Sequence, residues 1–103
     1  MNVREVSERH DSILRELNEE RVAALTRISR TLESLIDQLA AVRVRIEEAS
    51  GGASSRDIDE YARLRARATQ YRWFLEVQRE ALGLRHHGFL DRFYRVPGPL
   101  PNH

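Results

Sequence analysis

The sequence predicts an all-α protein: a long antiparallel helical hairpin of coiled-coil type with a short C-terminal helical segment, expected to pair with a second copy into a four-helix bundle. Three observations carry this reading. Residues 3–49 contain no Gly and no Pro, and their apolar residues recur at spacings of three and four. Residues 50–55, Ser-Gly-Gly-Ala-Ser-Ser, form the only internal turn cluster. A second three-four rhythm then begins, and a short loop between two such helices folds them antiparallel.

The first helix is expected over about residues 4–49. Its stripe is Val6, Ile13, Leu14, Leu17, Ala24, Leu25, Ile28, Leu32, Leu35, Ile36, Leu39, Val42, Ile46 and Ala49. From Ile28 onward the steps alternate between four and three, a heptad rhythm, with a stutter near Leu25–Ile28. His10, Asn18, Arg21 and Arg43 interrupt this face. Such residues set register or oligomer state, or extend their charged ends to the rim.

The turn spans residues 50–54, with Gly51 suited to a left-handed C′ position. Ser54 followed three residues later by Asp57 resembles a capping box, with Asp in place of Glu or Gln. The second helix is expected over about residues 55–84, with Tyr61, Leu64, Ala68, Tyr71, Leu75, Gln78 and Leu82 on its inner face. Folding about Gly52 sets residue i against roughly 104 − i. Leu75 then meets Ile28, Ala68 meets Ile36, Leu82 meets Val22, and Arg21 lies opposite Gly83. A kink or break is expected around Gly83–Gly88, followed by a short helix over about residues 88–95. Residues 1–96 read as one domain, and residues 97–103, rich in Pro, as an extended tail.

With 103 residues, 17 basic and 16 acidic side chains and a net charge of +1, the chain is one domain without a polybasic arm or an acidic tail. There is no Cys, which excludes disulfide frameworks, thiol catalysis and Cys-ligated zinc. No apolar run is long enough for a spanning helix or a signal-peptide core, so a cytoplasmic location without membrane contact is expected. All basic residues are Arg. Codon bias of a GC-rich bacterial genome explains this more readily than a need for bidentate contacts.

The segment between Tyr71 and Leu84 is apolar on more than one side. Tyr71, Leu75, Gln78 and Leu82 face the hairpin partner, while Trp73, Phe74, Val77, Ala81 and Leu84 point elsewhere. One hairpin cannot cover both faces. The covering is then the C-terminal segment folding back, a second copy, or another protein, with self-association placed first. Phe89 and Phe93 join this surface as candidate partner or oligomer contacts.

Arg63, Arg65, Arg67 and Arg72 form a basic, aromatic-flanked run with no acid. Such a run can hold nucleic acid through phosphate contacts and stacking. The more ordinary reading is a solvated face paired to Glu33, Asp37, Glu47 and Glu48 across the hairpin. His86, His87 and Asp91 are the only His cluster, with His10 and Asp11 as the nearest further donors. Neither the di-iron bundle motif nor a zinc-protease motif occurs, and no metal or cofactor is expected. The sequence also lacks a nucleophile elbow, a Walker loop and a dinucleotide fingerprint. The leading expectation is therefore a small, non-enzymatic bacterial interaction protein, an adaptor, chaperone or regulatory subunit. The alternative is an Arg-rich nucleic-acid-binding bundle.

Overall fold

The computed structural model describes residues 2–101. They form three helices, α1 (Val3–Glu48), α2 (Ser55–Ala81) and α3 (Gly88–Phe93), with no strand among the described residues. The body is a rod of 77 × 22 × 15 Å, and its architecture is the expected helical hairpin. Asn2 starts α1, its side-chain oxygen accepting the Glu5 N–H at 2.8 Å. The helix ends at Glu48, because Ala49 takes an extended conformation. Gly51 and Gly52 then reverse the chain, both at positive φ (83° and 98°) where a Cβ would be strained. Gly51 is thus part of the reversal rather than the residue that ends α1. Ser54 caps α2, its hydroxyl accepting the Asp57 N–H at 3.1 Å, which is half of a capping box.

The core follows the heptad. Leu32, Leu35, Leu39, Val42 and Ile46 of α1 are buried against Tyr61, Leu64, Ala68 and Leu75 of α2. Each fully buried Leu or Val contributes about 1.5–3 kcal/mol of hydrophobic stabilisation relative to exposure. The register agrees with folding about Gly52. Arg45 bonds Asp57 (3.3 Å) and Glu60 (3.0 Å) across the turn. Arg43 sits beside Tyr61, and its guanidinium is held above its usual range by the hydrogen bond to Glu47 first and by the Tyr61 phenol next. Leu75 and Ile28 join the same core, as do Ala68 and Ile36.

At its far end the hairpin departs from the expected form. The second helix stops at Ala81, not near residue 84. Gly83, at φ 85°, ends it: its N–H bonds the Glu80 carbonyl, while the Leu84 N–H bonds that of Arg79. This is a Schellman closure with Gly83 at C′. The chain therefore leaves before Leu82 can meet Val22, which stays exposed, and Arg21 gains no partner opposite Gly83. The third helix is also shorter than expected, ending at Phe93 rather than near residue 95.

After Gly83 the chain folds back along α2. Leu90 is fully buried, and Tyr94, Val96 and Leu100 pack against the same core. Arg79 donates to the His86 carbonyl at 3.0 Å, Arg72 pairs with Asp91, Arg65 Nε donates to the Pro97 carbonyl at 3.0 Å, and the Tyr61 hydroxyl donates to the Gly98 carbonyl at 2.7 Å. Partners descend along α2 as they ascend along the strap, so the two run antiparallel. The Pro97–Pro101 stretch is extended as expected, but it is docked. An extended Pro-rich segment forms no internal hydrogen bonds, and Tyr61 and Arg65 supply the donors that its carbonyls need. The last two residues of the expected tail, 102 and 103, lie outside the described ones.

Candidate interaction surfaces

Three surfaces are left over once the core is built: the N-terminal half of α1, the outer face of α2 with α3, and a groove lined by Arg side chains. The first is an unpaired stretch of helix. Because α1 has 46 residues and α2 only 27, α1 continues alone past the body. Every residue from 2 to 23 is exposed. At 100° per residue, the face that packs α2 from Ile28 to Ile46 continues as Val6, Ile13, Leu14 and Leu17, with His10 and Arg21 among them. The bare arm spans about 30 Å. Sequence periodicity identified the stripe but assigned it to the hairpin, because nothing in the α1 pattern marks where α2 stops.

On α2, Trp73, Val77 and Ala81 form an exposed outer stripe, with Leu84 exposed just past the helix end. Phe74 is half-buried, its ring 5.6 Å from both Tyr71 and Trp73. Phe89 and Phe93 stack on each other at 4.7 Å and remain more than half exposed. Arg79 lies over Phe89 and Arg92 over Phe93. The expected continuation of Leu82, Phe89 and Phe93 along one helical face does not occur, since Gly83 breaks the helix between them. The fold-back strap covers the core through Leu90 instead, leaving the two Phe rings outside with Trp73 and Val77.

The expected Arg run is divided. Arg65 is committed to the Pro97 carbonyl, and Arg72 to Glu76 and Asp91. Arg63 and Arg67 instead line a groove of about 370 Å³ between α1 and α2, together with Arg30, Thr31, Ser34, Leu35, Gln38 and Leu64. The anticipated pairing to α1 carboxylates does not form. Glu47 bonds Arg43, Glu33 accepts from Tyr94, and no ion pair joins Arg63 or Arg67 to Asp37 among the described residues. Arg30 was not apparent from the sequence, because it belongs to the other helix and only the hairpin register brings it here.

The His cluster is also separated. His87 Nε2 is 3.1 Å from Glu80, and Asp91 is turned to Arg72. Among the described residues no three His, Asp or Glu side chains converge. His10 and Asp11 are exposed on the bare arm. No helix among the described residues is long and apolar enough to cross a membrane.

Tyr94 fastens the strap to α1, its hydroxyl donating to Glu33 at 3.0 Å. Its phenol pKa is raised above the ordinary 10 by burial first, then by the hydrogen bond to Glu33. The folded state thus holds this proton more tightly than the unfolded chain does. The associated stability is whole below pH 10 and is lost as pH rises beyond it. Alkaline melts should show a stability loss above pH 10 that Tyr94→Phe reduces; identical pH profiles for the two proteins would contradict the assignment.

The chain matches no protein-family model, no curated protein and no solved structure.

Proposed function

We propose that this chain is a non-enzymatic interaction module that works as a homo-oligomer, assembled through the bare arm of α1. The observation that carries the proposal is that the helix face that builds the hairpin core continues through Val6, Ile13, Leu14 and Leu17, interrupted by His10 and Arg21, for about five further turns with nothing packed on it among the described residues. Most helical stability in proteins comes from packing an amphipathic face rather than from propensity, and this stretch of α1 packs its face on nothing among the described residues. A second copy is the preferred occupant because a two-fold axis covers two identical arms at once.

Charge supports the same arrangement. Residues 3–22 carry four Arg and six acids, and residues 72–95 carry five Arg and three acids, so the arm is at −2 and the α2–α3 end at +2. Laying the arm of one copy along the α2–α3 end of the other brings opposite charges together. It also covers Trp73, Val77 and the Phe89–Phe93 pair with Leu14 and Leu17. The product is a four-helix bundle, whose outer surface then serves as an adaptor or regulatory face in a bacterial cytoplasm.

Light scattering on a sizing column tests the assembly against the 12.0 kDa chain. The expected result is twice that mass or a higher multiple, returning to the single-chain mass in Leu14→Asp/Leu17→Asp with the hairpin still helical. A single-chain mass for the parent protein that stays constant up to high concentration would overturn the proposal.

A further inference from the structure

We infer that the groove between α1 and α2 holds the phosphodiester backbone of a nucleic acid, through Arg30, Arg63 and Arg67. This is independent of the self-association reading, since the groove lies on the paired part of the hairpin and shares no residue with the bare arm. Among the described residues, unpaired Arg side chains also occur elsewhere, Arg27 and Arg56 among them, but Arg30, Arg63 and Arg67 share one groove. Arg43, Arg45 and Arg72 are bound to carboxylates, and Arg65 and Arg79 to backbone carbonyls. Arg30 and Arg63 have no hydrogen bond or ion pair among the described residues, and Arg67 has only the Tyr71 ring, 5.8 Å from its guanidinium. All three are exposed.

The groove these three share is lined by no carboxylate. The acids that could neutralise it are held elsewhere: Glu33 by Tyr94, and Asp57 and Glu60 by Arg45. Asp37 and Asp59 are close in sequence but line no part of the groove. Its remaining polar wall is Thr31, Ser34 and Gln38. The Gln38 amide is held by Ser34, donating to the carbonyl at 3.2 Å and to the hydroxyl at 3.1 Å. Three positive charges from two rigid helices with no counter-charge in the lining fit an oxyanion; the Ser34 hydroxyl, which accepts from Gln38, keeps its proton to donate, whereas the Thr31 hydroxyl is given to the Arg27 carbonyl at 3.1 Å.

The openness of the site selects among anions. A free phosphate in a groove open to water gains little from exposed cations, because solvent screens each contact. A polyanion gains more, since each neutralised phosphate releases condensed counterions. No aromatic ring lines the groove, so bases have nothing to stack on there. Recognition is of backbone, without sequence preference.

Fluorescence anisotropy with labelled single-stranded RNA and duplex DNA of about twenty nucleotides, at about 50 mM salt, tests the inference. Three phosphate contacts per chain predict roughly a twenty- to forty-fold loss of affinity when salt rises fourfold. Arg30→Gln/Arg63→Gln/Arg67→Gln should remove most of the binding and flatten the salt dependence, with the circular dichroism spectrum unchanged. Arg27→Gln/Arg56→Gln removes two exposed charges outside both the groove and the proposed oligomer interface and should bind nearly as the parent does. No anisotropy change with the parent protein, undiminished binding in the groove variant, or equal loss in the control variant would each overturn the inference. So would saturable binding of inorganic phosphate without any binding of nucleic acid.

Discussion

Replacing Leu39 by Ala should cost about 2–5 kcal/mol of unfolding free energy, the range for truncating a buried Leu that leaves a cavity. Leu39 lies at the middle of the α1 core stripe with no exposed surface, flanked by Leu35 and Val42 and facing α2. The loss is large for this chain. Small domains have only about 5–15 kcal/mol in total, and here the core among the described residues is ten buried side chains, all between Leu32 and Leu90. Urea denaturation measures the effect, with Leu17→Ala as the comparison. Leu17 occupies the same helical face but stands on the bare arm, 42 % exposed, so in the single chain its truncation should cost far less. Equal losses for the two would mean that the arm is packed as tightly as the core. That result would favour a permanent oligomer and a unit of stability larger than one hairpin.

Truncating Leu90 to Ala is the second large expectation. Leu90 is the one fully buried side chain of α3, and α3 has only six residues, too few to be helical without packing. Removing its anchor should cost about 2–4 kcal/mol and should release the strap as a unit. The Tyr61–Gly98, Arg65–Pro97 and Tyr94–Glu33 hydrogen bonds all lie on the same returning segment. Protease digestion gives the readout. Cleavage after Arg92 and Arg95 should accelerate in Leu90→Ala, while α1 and α2 remain helical and resist cutting in the core. Tyr61→Phe removes one hydrogen bond and should cost about 1 kcal/mol, a calibration for the larger change. Global unfolding at the same rate as strap cleavage would mean that the strap is part of the hairpin nucleus rather than a layer added to it.

Local rules made the hairpin legible. Leu32, Leu35, Leu39, Val42 and Ile46 announce their burial by their spacing, Ser54 announces the start of α2, and Gly51 and Gly52 announce the reversal. The Arg run showed less clearly. The sequence marked Arg63, Arg65, Arg67 and Arg72 as equivalent, whereas the strap engages Arg65 and Arg72 and leaves Arg63 and Arg67 to the groove with Arg30. The docking of residues 97–100 gave no local signal, because a Pro-rich stretch is extended whether it is docked or free. The donors that hold it are Tyr61 and Arg65, more than thirty residues earlier.

The sequence alone thus determined the helical class, the antiparallel register about Gly52 and the identity of the α1–α2 core, since periodicity and turn chemistry act over a few residues. Only the tertiary structure decided how far α2 accompanies α1 and what lies in the third layer. A Gly at residue 83 permits either a kink or a stop. The outcome was settled by whether Leu90, Tyr94 and Val96 gain more by packing back into the hairpin groove than α2 gains by two further turns along α1. That competition between distant contacts left the N-terminal half of α1 bare, and the strap it produced engaged Arg65 and Arg72, leaving Arg63 and Arg67 to the groove.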